Sequence, residues 1–263
     1  MAQKKALWTL NVNNYAPEIT AVTYPYIKLY ADKIDAEFRI LNERKWPDAP
    51  ATYEKLQIFK EGEDYDWNIY IDSDALIHPD MFDVTRHLHS DTVLQYGNDL
   101  AGTRWKDDKY FRRDTRQISS CNWFTVASND CLDLWHPLED MTPAEALKNT
   151  RPQLKERETC SDGHLIDDYV LSRNIARYGL HYTTFLKLLV HLKSDGAQFF
   201  FHSHLLTRKE KAYIFPRVMD ERWLKNLPVD AEWLVKVMKE ANGEQSLVVN
   251  NQDKSIEESK KEN

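Results

Sequence analysis

The chain contains little glycine, and this scarcity excludes two common phosphate-binding motifs. Only 7 of its 263 residues are glycine, whereas average usage of about 7% would give roughly 18. Neither G-x-G-x-x-G nor G-x-x-x-x-G-K occurs in the sequence, although these are the loops that bind phosphates through backbone N–H groups. A nucleotide bound by this protein must therefore have its phosphates neutralised by a metal ion or by side chains.

Cysteine and long apolar segments are also scarce, and basic residues are fewer than acidic ones. Cys121, Cys131 and Cys160 form no C-x-x-C pair, so we expect no disulfide or zinc framework and a reducing, cytoplasmic location. No run approaches the 18 apolar residues of a membrane-spanning helix. The 42 acidic residues outnumber the 35 basic ones, giving a formal net charge of −7, and this balance argues against a nucleic-acid partner.

Segments with strand-like and helix-like patterns alternate along the chain. We predict strands at residues 6–12, 35–41, 67–71, 92–96, 122–127 and 198–202. We predict helices at residues 17–30, 53–60, 79–88, 167–178 and directly after Ser128. Such alternation indicates an α/β fold with a mainly parallel mixed sheet flanked by helices.

The pattern also divides the chain into three parts. Residues 1–215 form the predicted α/β domain, and residues 216–243 form a C-terminal helical appendage. The apolar stripes of that appendage favour core packing, although a partner surface is the alternative. Residues 244–263 are polar without periodicity, so we predict a disordered tail.

The strongest chemical signal is the sequence Asp72-Ser73-Asp74, which directly follows the apolar run Trp67–Ile71. Ligands bind at the carboxyl ends of strands in parallel sheets, and Asn11 and Asn42 end the two preceding strands. Two carboxylates after a buried strand are costly to dehydrate unless a cation or hydrogen-bond donors meet them. The motif therefore favours a divalent metal site. The alternative is that the carboxylates only cap the next turn.

This motif, WNIYIDSDALI at residues 67–77, resembles the metal-dependent GT-A glycosyltransferases, particularly glycogenin-like family 8. Thr52-x-x-Lys55-Leu56 and the start Thr9-Leu10, Asn13 and Tyr15 are similar to the same family. The resemblance covers about the first 80 residues and implies a GT-A fold, a nucleoside diphosphate sugar donor and Mn²⁺ or Mg²⁺.

The resemblance also implies roles for individual residues. Asp72 would contact the metal or the ribose, with Ser73 beside it, and Asp74 would bind the metal. Lys55 would help to hold the donor, unless it lies on a solvated helix face. The residues expected around the base, with uracil favoured, are Thr9, Leu10, Asn11, Asn13 and Tyr15.

A second pair of carboxylates, Asp167 and Asp168, begins a segment that resembles the E-D…L…R…G stretch of inverting GT-A enzymes such as family 2. That resemblance implies that Asp168 is the general base and that Asp167 orients the acceptor. The structural alternative is helix capping, because carboxylates in a first helical turn are stabilised by free N–H groups and the helix dipole.

A third group follows the predicted strand at residues 198–202. By resemblance to GT-A enzymes, His202 would complete the metal site, with His204 as a weaker candidate. Lys209, in a basic stretch, would contact the diphosphate or lie in a solvated loop. The H-x-x-G-x-x-K-P-W signature of family 8 does not follow either histidine.

The segment between these motifs, residues 104–116, holds six basic and three acidic residues. It would close over the donor, receive an anionic acceptor, or form a solvated surface, which we favour slightly. Trp105 and Trp123 are candidates for stacking on a sugar, although core packing is the more common fate of a residue such as Trp123.

Together these patterns predict a metal-dependent glycosyltransferase that moves a sugar from a nucleoside diphosphate sugar, with UDP favoured, to a hydroxyl acceptor such as a glycan. Direct displacement with Asp168 as base predicts inversion. Alternatives are a sugar-nucleotide nucleotidyltransferase, a phosphatase that uses Asp72 as nucleophile, and a non-catalytic sugar-nucleotide or glycan binder on the same scaffold.

Overall fold

The computed structural model describes residues 3–98, 106, 108–150, 161–194, 196–203 and 206–243. The predictions for the tail 244–263, for His204 and for Trp105 lie outside these residues. The chain forms two compact units, Met1–Ser203 and His204–Asn263. In the described residues, no helix is both long enough and apolar enough to cross a bilayer.

The first unit is built on a six-stranded sheet with the strand order β2-β1-β3-β6-β5-β7. Five strands run in one direction and only β6 is reversed. A second sheet contains β4 and β8, which pair antiparallel. The strands are β1 (Lys5–Leu10), β2 (Ala36–Leu41), β3 (Trp67–Ile71), β4 (Leu76–Ile77), β5 (Thr92–Asn98), β6 (Ser120–Ser128), β7 (His181–Thr184) and β8 (Phe200–Phe201).

Helices lie along the chain between these strands, so the predicted α/β class with a mainly parallel mixed sheet is confirmed. The helices are α1 (Pro17–Lys33), α2 (Ile58–Glu61), α3 (Lys109–Arg113), α4 (Pro143–Asn149), α5 (Asp162–Tyr178), α6 (Phe185–His191), α7 (Arg208–Arg217) and α8 (Ala231–Ala241). Short 3-10 turns precede α2 at Ala51–Gln57 and follow β6 at Asn129–Trp135.

The position of β3 in the sheet explains why the run Trp67–Ile71 is apolar apart from Asn68. All five of its residues are buried, because β1 and β6 pair with its two edges and hydrophobic clusters cover both faces. Tyr70 belongs to one cluster, which includes Tyr169, and Ile69 and Ile71 belong to the other, which includes Phe185. Burying each large apolar side chain contributes about 1.5–3 kcal/mol, so the end of β3 is a rigid support.

One predicted helix is wrong, and two observed elements were not predicted. The helix expected at residues 79–88 is only a 3-10 turn, Val84–His87. Its cap, Asp83, accepts hydrogen bonds from Thr85 N–H and from Lys5 Nζ, and such side-chain bonds to local backbone favour turns over helices. The strand β7 and the helix α6 have no counterpart among the predicted elements. The segment His181–Thr184 is short, and its sequence HYTT shows no clear alternation of polar and apolar residues.

The second unit contains α7 and α8. Thr207 and Glu210 form a capping box at the start of α7, and Glu210 also accepts a hydrogen bond from Asn242 after α8. An ion pair of 3.0 Å joins Arg217 Nη1 of α7 to Glu240 Oε2 of α8. These contacts hold the two helices together as one unit.

The second unit begins at His204, whereas the sequence places the start of the appendage at residue 216. Helix α7 continues through residues 215 and 216, so no break in secondary structure marks that position. In the appendage, Trp223 is buried, whereas Leu224 and Leu227 are exposed.

Candidate active site

The short sheet of β4 and β8 brings His202 to the Asp72-Ser73-Asp74 turn. Leu76 pairs with Phe201 and Ile77 with Phe200 in antiparallel register. Continuing this register by one residue places His202 opposite the residue that follows Asp74. The observed distance between His202 Nε2 and Asp74 Oδ1 is 3.6 Å.

Asp72, Asp74 and His202 together form a group that could hold a metal ion. One ligand atom from each lies within 4.8 Å of the others, and the side chains of Asp72, Asp74 and His202 are 24%, 12% and 13% exposed. Two carboxylates and an imidazole are a donor set that suits Mn²⁺ and is compatible with Mg²⁺. The residues present therefore fit a divalent ion.

Trp123 supports this group from β6. Its indole stacks on the imidazole of His202, with ring centroids 4.7 Å apart and an interplanar angle of 23°. Its backbone carbonyl accepts a hydrogen bond of 2.8 Å from Asp72 N–H. Trp123 is buried, so it packs against the candidate metal ligands, and the expectation that core packing is its main role is confirmed.

Lys55 is not on a solvated helix face, because only 2% of its side chain is exposed. Its Nζ lies 2.6 Å from Asp167 Oδ2 and 3.1 Å from Asp72 Oδ1, and 4.6 Å from the centre of the Tyr70 ring. Burial alone would lower the pKa of Lys55, but the charges of Asp167 and Asp72 raise that pKa above its ordinary value. Lys55 is therefore a buried cation that links the two acidic motifs.

The same contacts orient Asp72. Its Oδ1 accepts a hydrogen bond of 2.7 Å from the hydroxyl of Tyr70 and faces the ammonium of Lys55. In the described part of the chain, Asp72 Oδ2 has no hydrogen-bond donor. One oxygen is thus fixed by the protein, while the other is available to a ligand.

Asp167 and Asp168 do not cap α5, which corrects the capping alternative. Helix α5 begins at Asp162, and its N-cap is Ser161, whose hydroxyl accepts a hydrogen bond from His164 N–H. The sequence pattern placed the start of this helix at Asp167, five residues too late. The two carboxylates therefore lie in the second turn, beyond the free N–H groups of the helix end.

Asp167 faces Lys55 through one of its two carboxylate oxygens. Asp167 is buried, and burial raises the pKa of its carboxyl despite the charge of Lys55. Its Oδ1 has no hydrogen-bond donor within the described ranges. Buried polar atoms of this kind are rare in folded proteins and call for a water, ion or ligand.

Asp168 lies in a different set of contacts. Its Oδ1 accepts hydrogen bonds of 2.9 Å from Lys106 Nζ and 2.9 Å from the Ser172 hydroxyl. Its Oδ2 accepts one of 3.2 Å from the Ser119 hydroxyl. The carboxylate is buried, and these three side chains hold it in one orientation.

The donors around Asp168 fix the positions of the protons. Lys106 Nζ and Ser120 N–H both donate to the Ser172 oxygen, so the Ser172 proton is directed at Asp168. Lys106 also donates to Ser119, at 2.7 Å, which directs the Ser119 proton in the same way. In these contacts Asp168 therefore acts only as a hydrogen-bond acceptor.

Lys106 is a functional candidate that the sequence did not single out. Only 3% of its side chain is exposed, whereas the sequence favoured a solvated surface for the whole basic segment. The prediction holds for Lys109, Arg112, Arg113 and Arg116, which are exposed. Nothing local distinguishes Lys106 from these neighbours, since its acidic partner is distant in sequence.

The predicted base-binding residues lie at the carboxyl end of β1. Trp8 pairs with Tyr70 in parallel register, so continuing the register places Leu10 level with Asp72. The Thr9 hydroxyl is buried with no hydrogen-bond partner in the described ranges. Asn13 has a φ of 59°, a left-handed conformation that asparagine tolerates better than most residues.

The structure also places the four remaining predicted residues. Ser73 is buried within the Asp72-Ser73-Asp74 turn, and its carbonyl accepts a hydrogen bond from the Thr23 hydroxyl. Asn11 N–H donates to Leu41 O, and Tyr15 directly follows the turn Val12–Asn14. Lys209 lies in the second unit, in the first turn of α7.

A search against protein-family models finds no match to the chain, and a search of curated proteins finds none either. Among solved structures, the chain is similar to a glycosyltransferase involved in the glycosylation of the major capsid of PBCV-1. The TM-score is 0.43 and the identity 11%, over 81% of this chain and 100% of that chain.

A second similar structure is the galactosyltransferase LgtC in complex with donor and acceptor sugar analogues. The TM-score is 0.48 and the identity 12%, over 88% of this chain and 99% of that chain. Neither likeness assigns a donor, an acceptor or a residue role to this chain.

Proposed function

We propose that this protein is a metal-dependent glycosyltransferase. It transfers a sugar from a nucleoside diphosphate sugar, with UDP as the favoured nucleotide, to a hydroxyl acceptor. The observation that carries the proposal is the convergence of Asp72, Asp74 and His202 within 4.8 Å, at the sheet edge where α/β proteins bind ligands.

The composition supports a role for a metal in donor binding. Because the chain has no glycine-rich phosphate loop, a diphosphate needs another source of positive charge. A bound Mn²⁺ or Mg²⁺ would offset the negative charge that develops on the diphosphate leaving group. Asp74, His202 and Asp72 Oδ2 are the groups that would hold the ion, because Asp72 Oδ1 is already occupied by Tyr70 and Lys55.

Lys55 acts as a positioning residue in this proposal. Its ammonium is buried between Asp72 and Asp167 and holds Asp72 in the orientation that presents Oδ2. This differs from the direct contact with the donor that the family resemblance implies for Lys55. Lys209 would contact the diphosphate, and Thr9, Leu10, Asn11, Asn13 and Tyr15 would surround the base.

Asp168 is the proposed general base, with Asp167 as its neighbour on the donor side. The hydroxyl oxygen of the acceptor forms a bond to the anomeric carbon, the bond from that carbon to the diphosphate oxygen breaks, and the acceptor proton moves to Asp168. The contacts of Asp168 support this role, because its hydrogen-bond partners Lys106, Ser119 and Ser172 all donate to it and a base must accept a proton. A single displacement of this kind inverts the anomeric configuration.

The proposal is tested by thermal unfolding with UDP-sugars and GDP-sugars, each with and without Mn²⁺, because a ligand that binds the native state raises its stability. We expect a UDP-sugar to raise Tm only when Mn²⁺ is present, and D74N to abolish the shift. The matched control is D64N, which changes an exposed aspartate and should behave as wild type.

Turnover is then followed by NMR that resolves the anomers. An inverted product supports Asp168 as base, and a retained product contradicts it. Stabilisation by UDP without any metal would contradict the assignment of Asp72 and Asp74. If donors bind but none is hydrolysed or transferred, that result supports the alternative of a non-catalytic sugar-nucleotide or glycan binder.

A further inference from the structure

A cavity of about 310 Å³ lies beside the C-terminal two-thirds of α5. Ser172 and Ala176 of α5 form one wall, Phe111 and Arg112 of α3 form another, and Lys106, Asp114, Gln117 and Ile118 also line the cavity. This volume is at the lower end of the range for small-molecule sites, and it suits a single ring rather than a large ligand.

The cavity is connected to Asp168 through shared residues. Asp168, Ser172 and Ala176 are spaced by four residues, so they lie on one stripe of the helix. Ser172 and Lys106 both line the cavity and both donate hydrogen bonds to Asp168. A molecule in the cavity is therefore in contact with the side chains that hold the proposed base.

The lining combines apolar surface with hydrogen-bonding groups. Phe111, Ile118 and Ala176 supply apolar contact, whereas Arg112 and Gln117 supply polar groups. The three N–H groups of Lys106 already donate to Ser119, Asp168 and Ser172. A sugar ring has the matching properties, because its C–H faces pack on aromatic and aliphatic side chains while its hydroxyls take hydrogen bonds from polar ones.

The backbone of Gln117, at the wall of the cavity, is in an uncommon conformation. It lines the cavity and has a φ of 53°, a conformation that is uncommon for residues other than glycine, asparagine and aspartate. Its carbonyl accepts a hydrogen bond from Asn98 Nδ2. Backbone strain of this type is found at binding sites, where the surrounding structure holds it in place.

A larger neighbouring cavity of about 610 Å³ shares Ile118 but differs in one respect. It is lined by Tyr182 and Leu186 among others, and within the described ranges none of its lining residues hydrogen-bonds Asp168. Of these two cavities, the smaller one is thus joined to the proposed base through described residues.

We propose that the cavity beside α5 is the acceptor site and that its ligand is a sugar ring with a free hydroxyl. This inference rests on the proposed function, because it takes Asp168 to be the base. It adds Phe111, Ala176 and Arg112 as residues that determine which acceptor is used.

The test uses the full chain with Mn²⁺ and a UDP-sugar donor that the enzyme hydrolyses. Transfer to a panel of methyl hexosides is measured alongside hydrolysis of the donor by water, which needs no acceptor site. A176F fills the cavity, and we expect the acceptor KM to rise at least about tenfold while donor hydrolysis and donor KM stay unchanged.

Three further variants make the result specific. R112A removes a donor from the cavity at an exposed position and should also raise the acceptor KM, without the folding risk of a larger side chain. A144F is the matched control, since Ala144 is exposed on α4, and it should leave all constants at wild-type values. L186F alters the larger cavity and should have no effect on the acceptor KM.

The outcomes separate the inference from the proposed function. If no donor is bound or hydrolysed, the proposed function fails and the inference fails with it. If the donor is hydrolysed but no methyl hexoside accepts the sugar, the inferred acceptor class is wrong while the donor chemistry stands. If methyl hexosides are used and A176F and R112A keep the wild-type acceptor KM, or L186F alone raises it, the inferred site is wrong.

Discussion

Lys55 and Asp167 form a buried ion pair, with 2.6 Å between Lys55 Nζ and Asp167 Oδ2 and less than 5% of either side chain exposed. The lysine comes from the 3-10 turn before α2 and the aspartate from α5. Because Lys55 also faces Asp72, this pair connects the Asp72-Ser73-Asp74 turn to α5, the helix that carries the proposed base Asp168.

Replacing Lys55 with methionine tests this connection. K55M leaves Asp167 as an unpaired buried charge, so we expect the free energy of unfolding to fall by about 3–5 kcal/mol. Denaturant titration measures the change. The control is K60M, because 72% of the Lys60 side chain is exposed, and it should change stability by less than about 0.5 kcal/mol. Equal effects of K55M and K60M would show that the buried pair has no structural role.

Replacing Lys106 tests how Asp168 is held. K106M removes the cation that orders both Asp168 and its two serine partners, so we expect kcat to fall about 10- to 100-fold with little change in donor KM. Steady-state kinetics with varied donor provide both constants. K109M changes an exposed lysine in the same segment and should leave kcat unaltered. A wild-type kcat for K106M would show that Lys106 does not hold Asp168 for catalysis.

The ion pair between Lys5 and Asp83, 2.6 Å long, makes stability depend on pH. Burial alone would raise the pKa of Asp83, but the hydrogen bonds from Lys5 and Thr85 lower that pKa below its ordinary value. The stabilisation is therefore fully present above the unfolded-state pKa of about 3.9, and it is lost as the pH falls through the lower folded-state pKa.

The corresponding variant is D83N. We expect it to lower the free energy of unfolding by about 1–3 kcal/mol at neutral pH and to lose this deficit in strong acid, as measured by urea unfolding across pH. D80N, at an exposed aspartate, should show no such trend. A deficit that stays constant down to strong acid would mean that the Asp83 charge is not its source.

The apolar run of β3 predicted a buried strand and the position of the acidic turn. A strand buried on both faces reads as a nearly continuous apolar segment, so residues 67–71 could be predicted as a buried strand from sequence alone. The polar residues that follow such a strand then mark the ligand-binding edge.

The start of α5 and the role of Lys106 could not be predicted in the same way. Asp167 and Asp168 resembled a helix start, but Ser161 caps the helix instead, and the preceding residues of the first turn have no strong periodicity. Lys106 is one basic residue among six in its segment, and only the fold brings it to Asp168. Contacts between residues distant in sequence leave no local pattern, which is why the partners of both carboxylates required the structure.

The most direct test of the central claim is Mn²⁺ binding measured by electron paramagnetic resonance, in which the signal of free Mn²⁺ falls as the ion binds. We predict that the wild-type protein with UDP removes this signal, and that D74N and H202A weaken the binding at least about tenfold, while D64N binds as wild type. Unchanged Mn²⁺ binding in both D74N and H202A would contradict the assignment of Asp72, Asp74 and His202 as the metal site.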